Sequence, residues 1–135
     1  MAAAAIKTMA NQCNGNSVFS AKKWIVDNIE ITSTKTAYGI EHAWLDLSKK
    51  YYGKASPIVV FGSSPTALEK LLDIVESCDN KPSLIIGMPV GFIGVEKSKK
   101  RLLETDLPYI VMGSTRGGAA MAGATINALL RESIQ

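Results

Sequence analysis

From Pro57 onward, short apolar runs alternate with segments whose apolar residues recur every three or four positions. That alternation predicts parallel strands joined by helical crossovers. The unit occurs three times. "PIVVF" (57–61) reads as a buried strand, followed by the helix "TALEKLLDIVESC", in which Leu68, Leu71, Leu72 and Val75 fall on one face. "SLIIG" (83–87) is the second strand, and a helix from about Val95 to Thr105 follows its loop. "YIVMG" (109–113) is the third, followed by a small-residue helix from Ala119 to about Glu132. Upstream, the pattern predicts a helix at 1–12, a weak strand near Ser17–Phe19, a short helix around Lys22–Ile29 and a longer one from about Lys35 to Lys50. Ser33 or Thr34 can cap the last of these, because a hydroxyl oxygen accepts from a free first-turn N–H. The fold class is α/β, with one domain expected over residues 1–135.

In an open parallel sheet all strands end at one edge, where ligands bind. The loops "FGSSPT" (61–66), "GMPVGF" (87–92) and "GSTRGG" (113–118) should therefore meet along one rim. Each contains glycine, which lets a ligand approach the main chain, and each precedes a helix whose free N–H groups carry partial positive charge. The expected occupant is an anion. The first loop offers Gly62, Ser63, Ser64, Pro65 and Thr66, and the second Pro89, Gly91 and the possible aromatic wall of Phe92. In the third, Ser114 and Thr115 add hydroxyls, Arg116 a forked donor for a carboxylate or phosphate, and Gly117 and Gly118 open backbone. Taken singly, each glycine pattern is equally a tight strand-to-helix turn. No G-x-x-x-x-G-K-[ST] and no G-x-G-x-x-G is present, so the pattern favours an acidic small molecule over a nucleotide specifically. Lys35 and His42 share a helix face with Tyr38 between them. Lys35 reads either as a solvated lysine or as an anion contact, and His42 either as an ordinary half-buried side chain or as a proton donor.

Composition narrows the choice. Fifteen Lys and Arg against twelve Asp and Glu give only a mild basic excess, without the clustered charge of a nucleic-acid surface. Cys13 and Cys78 stand apart, which predicts reduced thiols and a cytoplasmic setting. A single histidine and two distant cysteines make a resident metal site unexpected. The opening "MAAAAIKTMANQ" has neither the basic start nor the apolar core of a signal peptide. No stretch approaches the roughly 20 apolar residues that span a bilayer.

Together these segments resemble the precorrin-8X methylmutase (precorrin isomerase) family of corrin-ring biosynthesis. The resemblance rests on "TKTA" (34–37), "GSSPTAL" (62–68), "GMPVGFIG" (87–94), "SK" (98–99), "LPYIV" (107–111), "RGGAA" (116–120) and "NALL" (127–130), in order and spacing over essentially the whole chain. It implies a three-layer αβα fold with a mainly parallel, Rossmann-like sheet, and a homodimer with its sites near the subunit interface. It further implies an isomerase that moves a methyl group between neighbouring carbons of a tetrapyrrole, either precorrin-8X or cobalt-precorrin-8, without an external cofactor. The acetate and propionate carboxylates of such a ring suit a rim of helix N-termini with Lys35 and Arg116.

Some positions depart from the family pattern. Lys35 stands where the family usually has arginine, Ser63 where it has asparagine, and Ser114-Thr115-Arg116-Gly117-Gly118-Ala119 where it has Gly-Arg-Lys-Gly-Gly-Ser. A lysine at 35 replaces a guanidinium fork by a point charge. The resemblance also implies that roughly the family's first third, with its proton-donating histidine, lies outside this sequence, and His42 is not its counterpart. Two alternatives stay open beside the isomerase: a non-catalytic tetrapyrrole binder or one part of a split methylmutase, and a Rossmann-like module for another acidic metabolite.

Overall fold

The computed structural model describes residues 18–25, 34–54, 56–113 and 116–133. Its sheet has three parallel strands in the order β1 (Ile58–Phe61), β2 (Leu84–Gly87), β3 (Tyr109–Val111). Val59 lies opposite Ile85, and Ile86 opposite Ile110. The helices are α1 (Lys35–Lys50), α2 (Pro65–Glu76), α3 (Val95–Leu103) and α4 (Ala119–Glu132).

Alternate strand residues point to opposite faces, and each face has its own apolar cluster. Val59, Phe61 and Ile85 pack with Leu68, Leu71, Leu72 and Val75 of α2 and Leu102 of α3, with Ile40 and Trp44 of α1 joining the same cluster. Val60, Leu84, Ile86, Ile110 and Met112 face the other way, onto Ala122, Ile126 and Leu130 of α4. The predicted three layers are thus present. Leu68, Leu71 and Leu102 are wholly buried, so truncating any of them to alanine should cost about 2–5 kcal/mol. Arg101 ties α3 to α2 by pairing with Asp73 and Glu76 and donating to the Glu69 carbonyl.

Most predicted elements stand within two residues of their expected ends. Pro65 opens α2 at its first position, where its missing N–H costs nothing. Thr34 is the cap of α1, its Oγ1 accepting from the Ala37 N–H at 3.2 Å. Other expectations need correction. Val18 and Phe19 do not form a strand, and the described part of the helix expected around Lys22–Ile29 is a 3-10 turn at Ala21–Trp24. There Trp24 donates to Asp46 of α1, while the Lys23 and Lys50 ammonium groups stand over the Phe19 ring. Aromatic and cationic side chains, rather than strand pairing, hold that segment on α1. Helix α3 stops at Leu103, because the Thr105 N–H and hydroxyl both turn back to the Leu102 carbonyl. The helix expected at 1–12, Ser17, residues 26–33, Cys13, Ser114 and Thr115 lie outside the described residues. Among the described residues no helix is long and apolar enough to cross a membrane.

Candidate functional site: a rim of helix starts

The strand-to-helix turns meet at one edge and are joined directly. The Met88 N–H donates to the Phe61 carbonyl at 3.0 Å, tying the second turn to the first strand's end. The Gly118 N–H donates in turn to the Met88 carbonyl at 2.6 Å, tying the third turn to the second. Two glycines permit this closeness. A Cβ on Gly62 would lie 2.9 Å from the Ala119 Cα, so the first turn rests against the start of α4. A Cβ on Gly117, whose φ is +152°, would overlap the Met88 carbonyl oxygen and lie 2.9 Å from that of Pro89. The geometry expected of "GSSPT", "GMPVG" and "RGG" is present in this respect: three turns form one continuous rim.

The side chains of the rim are unevenly distributed. At the first turn the starts of α1 and α2 stand side by side. The Ser64 Oγ accepts from the Ala67 N–H at 3.2 Å and caps α2 as Thr34 caps α1. The two caps share a hydroxyl group of four: Thr34 with Thr66 at 3.2 Å, Thr36 with Ser64 at 3.0 Å and Ser64 with Thr66 at 3.0 Å. Ser64 is expected as a ligand hydroxyl, and its oxygen also serves the helix as an acceptor. Lys35 is exposed beside this group, in a first turn where the helix dipole disfavours a cation. Ser63 is exposed and Pro65 half-buried.

At the second turn Pro89 is buried and Gly91 half-buried, while Phe92 is 88% exposed and Ile93 94% exposed. The Phe92 ring therefore projects from the rim. At the third turn Arg116 is exposed, with Gly117 and Gly118 half-buried beneath it, and neither Gly94 nor Gly118 caps its helix with a side chain. Among the described residues, the ring contact of His42 is with Tyr38 rather than with the turns. It lies along α1, its ring 4.2 Å from that of Tyr38 and tilted by 38°.

Two residues of the rim were not read from their chemistry. Thr36 appeared only within a matching segment, although its place two residues after a capping threonine puts a second hydroxyl at the helix start. Lys99 is 4% exposed, and its Nζ donates to the Arg116 carbonyl at 2.5 Å. Burial pulls its pKa below the ordinary 10.5. The available signal was periodicity: Val95, Ser98, Lys99 and Leu102 recur at helical spacing and form the buried stripe of α3. On the outer flank of this lysine lies an open depression of about 240 Å³, bordered by Glu96, Lys100 and Met112.

Fold and rim together define an α/β protein that presents helix N-termini and cationic side chains along the carboxyl edge of a parallel sheet. The model of the precorrin-8X methylmutase family matches residues 1–132, and the chain belongs to that family. It is 39% identical over 105 residues to the precorrin-8X methylmutase of Pseudomonas aeruginosa, an alignment covering 76% of this chain and 47% of that protein. It is 42% identical over 73 residues to the cobalt-precorrin-8 methylmutase of Methanocaldococcus jannaschii, covering 54% of this chain and 35% of that one. The solved precorrin-8X methylmutase of Thermus thermophilus superposes with a TM-score of 0.77 at 27% identity, over 98% of this chain and 63% of that structure. The chain spans about half the length of the curated relatives it matches, or less.

Proposed function

We propose that this chain acts in corrin-ring biosynthesis as a precorrin-8X methylmutase-type isomerase, its rim receiving the carboxylates of the tetrapyrrole while a methyl group shifts between neighbouring ring carbons. The observation that carries this reading is the direct joining of the turns, which sets helix starts, Lys35 and Arg116 along one edge. A polyacidic ring meets such an edge at several points at once, as a monoacid could not. Ser63, Thr66, Gly91, Thr115, Gly117 and Gly118 belong to the proposed contact surface, with Arg116 as its forked carboxylate partner and the buried Pro89 shaping the second turn.

A methyl shift on a conjugated ring is eased by protonating a ring atom, and a positioned acid typically contributes about 10²–10⁴-fold. None of the residues placed on the proposed contact surface is a histidine or a carboxylic acid that could supply that proton. This supports a second reading, in which the chain binds the tetrapyrrole and a further segment or a separate chain completes the catalytic site. The proposed assembly is a cytoplasmic homodimer, supported by the exposed Phe92 and Ile93 beside the rim, which a second subunit would cover.

The test is an absorbance titration with hydrogenobyrinate, the corrin product, combined with a precorrin-8X turnover assay. Turnover by this chain supports the isomerase. A spectral shift without turnover, followed by turnover when an N-terminal family segment is added, supports the second reading. No spectral shift at all removes both. Arg116→Ala should weaken the titration about tenfold or more while stability stays within about 0.5 kcal/mol. Unchanged affinity would remove Arg116 from the site.

A further inference from the structure

Among the described residues, Lys99 is the charged side chain that the fold buries. A buried ammonium is a costly group, and a neutral N–H would suffice merely to hold a carbonyl. Its position gives it another use. Lys99 reaches from α3 to the carbonyl of Arg116, and two residues further on Gly118 donates to Met88 of the second turn. Gly117 between them is pressed against Met88 and Pro89. The main chain is thus held at the carbonyl of an arginine whose side chain is exposed, and again over the two residues that follow it. The carbonyl of Arg116 and the N–H of Gly117 also belong to one peptide unit. A cation bonded to that oxygen makes the N–H a stronger donor, since linked hydrogen bonds polarise one another.

We infer that Lys99 is a positioning residue for carboxylate binding: through the Arg116 carbonyl it sets where the Arg116 guanidinium meets an acidic side arm of the ring. This rests on the tetrapyrrole reading of the rim. A lysine that only filled space on α3 would affect stability without regard to Arg116. A lysine that acts through Arg116 must lose its effect on binding when that guanidinium is gone.

The test is a double-mutant cycle on the whole chain, with hydrogenobyrinate affinity as the readout and thermal melting as the check on folding. Lys99→Met should weaken binding by about tenfold or more, the size of effect lost with one charge-assisted hydrogen bond. In the Arg116→Ala background the same change should cost less than about twofold, because coupled residues are not additive. Lys99→Arg, which keeps a cationic donor, should recover most of the affinity. Should Lys99→Met fail to fold, Lys99→Gln carries the same comparison. If the wild type binds and Lys99→Met binds equally well, Lys99 has no part in recognition. If the loss is equal in both backgrounds, its action through Arg116 is overturned. If the wild type itself does not bind, the rim reading falls and this inference with it.

Discussion

The four described helices start in two different ways. Helices α1 and α2 begin at Thr34 and Ser64, whose hydroxyl oxygens accept first-turn N–H groups and are themselves linked through Thr36 and Thr66. Helices α3 and α4 begin at Gly94 and Gly118 with no side-chain cap. A capped start has already used part of its donor capacity, whereas a glycine start keeps it for whatever arrives. The first end of the rim is therefore built for stability and the third for access. The third also needs more support from its neighbours, which Met88, Pro89 and Lys99 provide.

The sharpest way to break this contrast is to fill the space that the third turn needs. Gly117→Ala would drive a methyl into the Met88 and Pro89 carbonyls, neither of which is the free end of a flexible side chain. The expected loss is about 3 kcal/mol, from overpacking together with backbone strain at positive φ, with tetrapyrrole binding abolished. Gly113→Ala is the control in the same turn, because a Cβ there meets nothing within 4 Å. Chemical denaturation of the two variants should separate them clearly. Equal stability would mean that the second and third turns are not packed as described.

A smaller effect is expected at the capped end. Ser64→Ala removes the α2 cap and should cost about 1 kcal/mol, with Thr34→Ala costing α1 a similar amount. Because the two caps share one hydroxyl group, the double variant should depart from the sum of the singles. Additive losses would show that the linked hydroxyls contribute nothing jointly. Hydrogenobyrinate affinity should fall less in these variants than in Arg116→Ala, since the oxygens concerned serve the helices first.

The same division explains what could be read in the chain beforehand. Strand and helix order followed from periodicity because each apolar run is short and buried on a known face: Val59 and Phe61 toward α2, Val60 toward α4. The loops were legible as a rim because parallel strands share an edge. The roles within the rim were not. Ser64 reads as a ligand hydroxyl and is also a cap, a role that depends on the few degrees of backbone that aim its oxygen at the Ala67 N–H. Phe92 reads as an aromatic wall and stands exposed, a direction that a hydrophobic letter in a loop does not give. Lys99 stands in the matching pair "SK", but its chemistry is hidden because a lysine within "EKSKKR" reads as part of a solvated charge run. Only its register with Val95 and Leu102 distinguishes it from Lys97 and Lys100. The segment before α1 misled for another reason: Phe19 and Trp24 suggest a strand or helix core, but they serve as stacking surfaces for lysines.

The smallest expected effect concerns that lysine and the pH. Burial lowers the Lys99 pKa below 10.5, so between its folded pKa and 10.5 the unfolded chain holds the proton while the folded chain has released it. Stability rises with pH wherever the unfolded state binds more protons. The cost of the buried charge therefore applies in full below the folded pKa and fades as pH approaches 10.5. Glu96 and Lys100, which border the same depression as Lys99, and Arg116, whose carbonyl Lys99 bonds, all remain in a Lys99→Met variant. Subtracting the variant's denaturation curve from the wild type's cancels their titration to first order. The difference should move in the wild type's favour as the pH is raised toward 10.5. A flat difference would show that the ammonium is solvated and that its burial costs the fold nothing.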